Sequence, residues 1–139
     1  MEEECIFCAL GKGNSRMIYE DKICYIIPDK YPSERGHLLV IAKEHYENVF
    51  AAPDKVIEHM VLVARDFGLK SKEKHKSDGV VITTNAGKAA GQLIMHYHIH
   101  VIPVCIDKPK GFIPHKELTE EEAQKLKLLL ISKPPRGSD

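Results

Sequence analysis

The sequence predicts an α+β fold: an antiparallel sheet of about five strands that packs with two helices. Short apolar segments of strand length follow one another with few helices between them, whereas a parallel sheet needs a helix at each crossover. Two longer segments carry apolar residues at helical spacing. The 139 residues suit a single domain, 1–139, which buries roughly two-thirds of the surface that its unfolded form exposes.

The first three strands are predicted in the N-terminal third. Residues 17–21 and 22–28 are short apolar stretches that form a hairpin around an acidic pair. A loop rich in Pro, Ser and Gly follows at 29–36, and the continuous apolar run at 37–42 has the length of a strand.

The first helix is predicted from Pro53 to about Lys70, because Pro suits a first helical turn and apolar residues recur at helical spacing behind it. Residues 71–78 are a charged connection. Residues 79–85, GVVITTN, form the next predicted strand, and the loop NAGKAAGQ carries the chain onward.

The last predicted strand, 93–103, contains the sequence HYHIH. Because strand side chains alternate between faces, three histidines share one face at roughly 7 Å spacing: His96, His98 and His100. The other face is apolar throughout: Leu93, Met95, Tyr97, Ile99 and Val101.

The second helix is predicted after the loop 107–116. Thr119 and Glu122 have the spacing of a capping box, and the helix runs to about Ile131. Residues 132–139 are expected to be a frayed tail.

The composition indicates which classes of binding partner and which cellular location to expect. Twenty basic and twenty acidic residues give no net charge, which disfavours nucleic acid as a partner and leaves a small ligand or a protein. The sequence shows neither a signal peptide nor a membrane-spanning run, so a cytoplasmic protein with reduced cysteines and no membrane partner is expected.

Three histidines in register allow three interpretations. They are a half-exposed strand without function, a three-histidine metal site of hydrolytic type, or a nucleophilic site in which a neutral imidazole attacks phosphorus. The preceding loop favours the last, because its glycines and amides, among them Asn85, Gly91 and Gln92, suit the binding of phosphate.

Cys5 and Cys8 form a C-x-x-C pair, which is half of a tetrahedral zinc site. The other two ligands must come from elsewhere in the chain. The alternative is a pair of unliganded thiols near the terminus.

The segment GQLIMHYHIHVIP resembles the signature of the histidine triad family, in which three histidines alternate with apolar residues. GHLLVIAKEH, residues 36–45, is similar to the family's strand followed by a Lys-x-His step. The resemblance covers roughly residues 4–105 and implies a homodimer that binds purine nucleotides.

The resemblance also implies roles for individual residues. His98 would be the nucleophile that attacks the α-phosphorus, and His100 would bind phosphate oxygens or assist proton transfer. Gln92 would lie near the leaving group, Asn85 and Gly91 near the phosphate, and Asp29 at the ribose hydroxyls. Apolar residues of the strand at 22–28 would hold the base.

In the zinc-carrying branch of the family, the cysteine pair is completed by two histidines. The resemblance therefore implies a structural zinc on four residues: Cys5, Cys8, His45 and His96. Four protein ligands close the site, so this zinc would stabilise the fold and would not activate water.

The implied activity is hydrolysis of nucleotidyl bonds with an amine or a polyphosphate as leaving group. Alternatives are a nucleotidyl transferase of the same mechanism and a nucleotide-binding regulatory or scaffold protein with vestigial activity. The last is kept open by Leu93, which stands where the family often has Ser or Thr. His37 is interpreted as a structural strand residue and His115 as part of a solvated loop.

Overall fold

The computed structural model describes residues 5–131, which contain five strands, three α-helices and one short 3₁₀ helix. In chain order these are α1 (Ile6–Leu10), β1 (Tyr19–Glu20), β2 (Cys24–Pro28), β3 (Leu38–Ala42), α2 (Asp54–His75), β4 (Gly79–Thr83), the 3₁₀ helix (Lys88–Ala90), β5 (His98–Val104) and α3 (Glu120–Leu130).

The strands form one open sheet in the order β1-β2-β3-β5-β4, and each neighbouring pair is antiparallel. The predicted fold class is therefore confirmed, with α1 as an additional helix. In the register of β3 and β5, Ile41 lies opposite His98 and Leu39 lies opposite His100. The two histidines thus stand over the middle of the sheet, on one of its two faces.

Both faces of the sheet are covered. On one face α2 and α3 enclose the larger core, which includes Val40, Phe67 and Leu130. On the other face the ring of Phe7 from α1 packs on a smaller apolar cluster. β2 and β3 are buried at every position because their residues on both faces are apolar. The smaller cluster forms the floor beside the histidines.

The predicted ends of the first long helix and of the fourth strand were wrong. α2 continues five residues beyond Lys70 to His75, through the segment predicted as a charged connection. Lys and Glu are good helix formers, and Ser71 is buried on the inner face, so the charged residues remain on the solvent side of a continuing helix. β4 is shorter than predicted and ends at Thr83.

The histidine strand begins at His98, five residues later than predicted. Residues 93–97 are irregular, and Leu93 is 92% exposed, so the predicted apolar face does not extend to Leu93. The Gln92 side-chain amide donates to the carbonyl oxygens of Ile94 and of the distant Glu47, and these bonds hold the chain in a turn before the strand. The apolar face is confirmed for Tyr97, Ile99 and Val101, which are buried.

The capping box is confirmed. The Thr119 hydroxyl accepts from the Glu122 amide, and the Glu122 carboxylate accepts from the Thr119 amide. The predicted frayed tail lies outside the described residues. Across residues 5–131, the helices lack the combination of length and apolar composition that spanning a bilayer requires.

Candidate functional site: a histidine-lined pocket and a cysteine–histidine cluster

A cavity of about 690 Å³ opens on the sheet face opposite α2. Its volume lies within the usual range for small-molecule sites. One wall is apolar and comes from α1, β2 and β3: Ile6, Phe7, Leu10, Ile27 and Leu39. The polar lining includes four of the predicted site residues, His98, His100, Asp29 and Gly91.

His98 is held in one tautomer. Its Nδ1 lies 2.6 Å from the carbonyl oxygen of His96, and because a carbonyl only accepts, Nδ1 carries the proton. The lone pair is therefore on Nε2. Burial lowers the pKa of His98, against the opposing effect of the hydrogen bond to the His96 carbonyl. The ring is thus a neutral imidazole with a free nitrogen, as a nucleophile requires.

His100 has the opposite tautomer, which follows from a chain of hydrogen bonds. The Ser33 amide donates to Nδ1 of His37 over 3.1 Å, so Nε2 of His37 carries that ring's proton. This Nε2 lies 2.9 Å from Nδ1 of His100 and donates to it. The proton of neutral His100 is consequently on Nε2, where it can be donated to a ligand oxygen.

The His37–His100 pair is kept neutral by its surroundings. Burial, together with the nearby His98 and His37 rings, lowers the pKa of His100 to about 4. Burial also lowers the pKa of His37, although Asp29, whose Oδ2 is 3.4 Å from Nε2, opposes this effect. The pocket therefore offers one nucleophilic nitrogen and one neutral hydrogen-bond donor side by side.

Asp29 stands at the end of β2. Its Oδ1 accepts from the Tyr31 amide over 2.8 Å, and the carboxylate remains part of the pocket lining. Gly91 closes the 3₁₀ turn with φ +94°, a conformation that side chains other than glycine rarely adopt.

Gln92 and Asn85 hold the loop through their side-chain amides. Oε1 of Gln92 accepts from the Gly87 amide, and Nε2 donates to the carbonyl oxygens of Glu47 and Ile94. Nδ2 of Asn85 donates to the Ala90 carbonyl oxygen over 2.7 Å. With these bonds both residues set the shape of the loop, and their predicted contacts with leaving group and phosphate stay predictions.

The four predicted metal ligands lie together. Nδ1 of His96 is 3.2 Å from Sγ of Cys5, 3.5 Å from Sγ of Cys8 and 3.2 Å from Nδ1 of His45. Sγ of Cys8 is 3.4 Å from Nδ1 of His45. All four ligand atoms lie within 4.8 Å of one another.

This donor set fits a tetrahedral metal ion. Zinc bond lengths of about 2.0–2.3 Å give roughly 3.3–3.8 Å between ligand atoms. The four distances above, between 3.2 and 3.5 Å, lie in or just below this range. Nε2 of His96 lies 2.6 Å from the Ala42 carbonyl oxygen, so Nε2 carries the proton and Nδ1 presents its lone pair to the cluster. Two sulfur and two nitrogen donors are a common set for structural zinc.

The comparison with known proteins decides the family. A family model described as the HIT domain matches residues 11–105. The chain belongs to the HIT family. The resemblance to the histidine triad signature is thereby confirmed, and the sheet matches that of solved HIT proteins.

Several relatives of this HIT protein are informative. A hypothetical histidine triad nucleotide-binding protein from Sulfolobus tokodaii is 36% identical, with a TM-score of 0.84 over 91% of this chain and 89% of its own. A Zn-bound histidine triad family protein from Mycobacterium smegmatis is 32% identical, with a TM-score of 0.78 over 94% and 95%. The adenylylsulfatase HINT3 of Arabidopsis thaliana is 32% identical over 132 residues, which are 91% of this chain and 67% of HINT3.

Within the HIT domain, the triad histidines divide between two sites. His96 is fully buried and faces the cysteine pair, whereas His98 and His100 are half-buried and line the pocket. The three rings therefore do not converge on one metal ion, which removes the geometric basis of the three-histidine metal site. The alternation of side chains in a strand predicted that all three histidines share one face. The strand begins only after His96, so this prediction does not apply to His96.

His37 was missed by the sequence interpretation, which gave it a structural role. It directly precedes β3, which pairs with the histidine strand, and it contacts His100 across that pairing. An imidazole at the start of the neighbouring strand is a signal that could have identified it. The apolar wall from α1 was also missed, because a helix of five residues has little periodicity to detect.

Proposed function

We propose that this HIT protein hydrolyses a phosphoanhydride or phosphoramidate bond at the α-phosphorus of a purine nucleotide. The observation that carries the proposal is the tautomer pair: the lone pair of His98 lies on Nε2, next to the neutral donor His100. An imidazole is both a good nucleophile toward phosphorus and a good leaving group from it.

The reaction has two displacements. Nε2 of His98 forms a bond to the α-phosphorus, and the leaving group departs with the bonding electron pair and takes a proton from water. Water then attacks the phosphorus, the electron pair of the N–P bond returns to Nε2, and a nucleoside monophosphate and a proton are released. His100 donates its Nε2 proton in a hydrogen bond to a phosphate oxygen in both transition states.

The two walls of the pocket suit the parts of a nucleotide. The apolar wall with Ile6, Phe7 and Ile27 would take the base, and the Asp29 carboxylate would accept hydrogen bonds from the ribose hydroxyls. The Gly91 loop would lie next to the phosphate.

Three adenylyl donors test the reaction: adenylyl sulfate, adenosine phosphoramidate and diadenosine tetraphosphate. The first is included because the relative HINT3 is named an adenylylsulfatase. Release of AMP supports a hydrolase. AMP transfer to added phosphate in preference to water would instead identify a transferase, and tight binding of AMP without turnover would identify a nucleotide-binding regulatory protein.

We propose further that Cys5, Cys8, His45 and His96 hold a structural zinc ion, as their geometry and the Zn-bound relative support. When bound, zinc would crosslink three segments of the chain: the start of α1 with the preceding Cys5, the loop after β3, and the residues before β5. A thiolate site requires reduced cysteines, which supports the expected cytoplasmic location.

Replacing Leu93 by Ser should raise turnover by up to about tenfold for each 1.4 kcal/mol of phosphate stabilisation that the new hydroxyl supplies. Leu93 lines the pocket and is 92% exposed, so the change removes no core packing. The measurement is kcat with adenosine phosphoramidate. Leu128→Ser, an exposed leucine on α3, is the matched control, and equal rates in both variants would contradict the prediction.

We also propose that the chain is a homodimer that assembles through β4 and the adjacent part of α2. Within the described residues β4 pairs only with β5, so its other edge is open. Ile82 is 45% exposed and Leu69 is 59% exposed, and both lie where Gly68 brings the helix close to β4.

Val61 also lies on α2 and is 47% exposed. The double variant Val61→Glu with Leu69→Glu should therefore halve the mass measured by light scattering, because it places four carboxylates in a two-fold interface. Leu128→Glu on α3 should leave the mass unchanged. A monomeric wild type, or a double variant that stays dimeric, would refute this interface.

A further inference from the structure

His115 lies in the same pocket as His98 and His100 although its loop is outside the family match, which ends at residue 105. The sequence interpretation placed it in a solvated loop. Its side chain is exposed, as predicted, but it faces the entrance of the pocket.

The backbone at His115 has φ +65°. Within the described residues, two residues other than glycine have a positive φ: His115 and Lys76, which follows the end of α2. This conformation strains most L-residues, and glycine would adopt it freely. A glycine variant therefore removes the imidazole without adding backbone strain, so a change in binding can be attributed to the lost side chain.

The loop is fixed against the polar wall of the pocket. The His115 amide donates to the Pro32 carbonyl oxygen over 2.7 Å, and the Leu118 amide donates to the Lys30 carbonyl oxygen over 2.8 Å. Nζ of Lys108 lies 2.9 Å from a carboxylate oxygen of Glu34. These contacts hold the backbone of His115 beside the chain segment that contains Asp29, and the imidazole lines the pocket from there.

The polar wall carries charged groups of both signs: Lys30 and Arg16 line it together with the carboxylates of Asp29 and Glu117. Lys30 lines it next to His115, and Glu117 lies 3.8 Å from the Lys30 ammonium group. In the proposed function, other residues contact the base, the ribose and the α-phosphate of the nucleotide. The His115 imidazole can donate a hydrogen bond to an anionic group that extends beyond the α-phosphate, with the Lys30 ammonium group, which Glu117 pairs only at 3.8 Å, beside it.

We infer that His115 is a specificity-determining residue that binds the anionic part of the leaving group, a phosphate beyond the α-phosphorus. This inference rests on the proposed nucleotide site and adds a subsite to it. It predicts that the protein prefers nucleotides with polyphosphate tails and that this preference depends on His115.

The test measures the dissociation constants of AMP and of α,β-methylene-ATP, which cannot react at the α-phosphorus, for wild type, His115→Gly and His115→Gln. Lys76→Gly is the matched control, because it relieves the same backbone conformation away from the pocket. His115→Gly should weaken binding of α,β-methylene-ATP about tenfold and leave AMP within about twofold, at an unchanged or higher melting temperature. His115→Gln should retain part of the preference through its amide donor.

Equal losses for both nucleotides, or no loss for either, would overturn the inference. The measurement is independent of turnover. If the protein binds both nucleotides but hydrolyses none of the adenylyl donors, the proposed reaction is wrong, and the binding constants still decide the role of His115. If the protein forms a nucleotidyl intermediate on His98 but does not prefer nucleotides with a polyphosphate tail, only the inference about His115 is wrong.

Discussion

Replacing His98 by Asn should lower kcat by at least about a thousandfold, because the variant has no nucleophilic nitrogen to form the nucleotidyl intermediate. The Asn amide can still donate to the His96 carbonyl oxygen, as Nδ1 of His98 does. The fold and the metal content should therefore be retained. The measurements are AMP release from adenosine phosphoramidate, the melting temperature and zinc content by mass spectrometry.

His98→Ala is the second variant, since it removes both the nucleophile and the hydrogen bond. Binding of AMP should persist in at least the Asn variant, because base and ribose contacts come from other residues. Turnover within tenfold of wild type in a folded His98→Asn protein would show that another group attacks the phosphorus.

Replacing His96 by Ala should release most of the bound zinc and lower the melting temperature by at least about 10 °C. Metal-binding free energy is folding free energy, and each lost kcal/mol corresponds to roughly 2–8 °C in domains near this size. The Phe7 ring lies 5.8 Å from the His96 ring and 5.1 Å from the His98 ring, edge-on to both. Loss of the metal should therefore also disturb the apolar wall and weaken nucleotide binding.

Cys105→Ser is the matched control for the metal prediction, because Cys105 is a free, half-buried thiol outside the cluster. It should keep the zinc content and the melting temperature of wild type. If purified wild-type protein holds much less than one zinc ion per chain after expression in zinc-supplemented medium, the structural zinc proposal is wrong.

The fold class was predictable because its signals are local. Apolar runs with turn residues between them indicated the strands, and Thr119 with Glu122 indicated the start of α3. The start of β5 was not predictable from alternation. It depends on the Gln92 amide, whose bond to the Glu47 carbonyl oxygen spans 45 residues of sequence.

Some features of the candidate site could also be predicted from the sequence, and others could not. The proximity of Cys5, Cys8, His45 and His96 followed from the family resemblance, and the structure places their ligand atoms together. The contact between His37 and His100 depends on strand register, which the sequence leaves open. The position of His115 depends on how an irregular loop docks, and no periodicity predicts that.

The central claim, covalent catalysis by His98, is tested most directly by rapid quenching of wild-type protein during turnover of adenosine phosphoramidate, followed by intact-protein and peptide mass spectrometry. We predict an acid-labile mass increase of one AMP residue that maps to His98 and forms as fast as AMP is released. Steady AMP release with no such adduct on quenched protein, or an adduct on another residue, would contradict the mechanism.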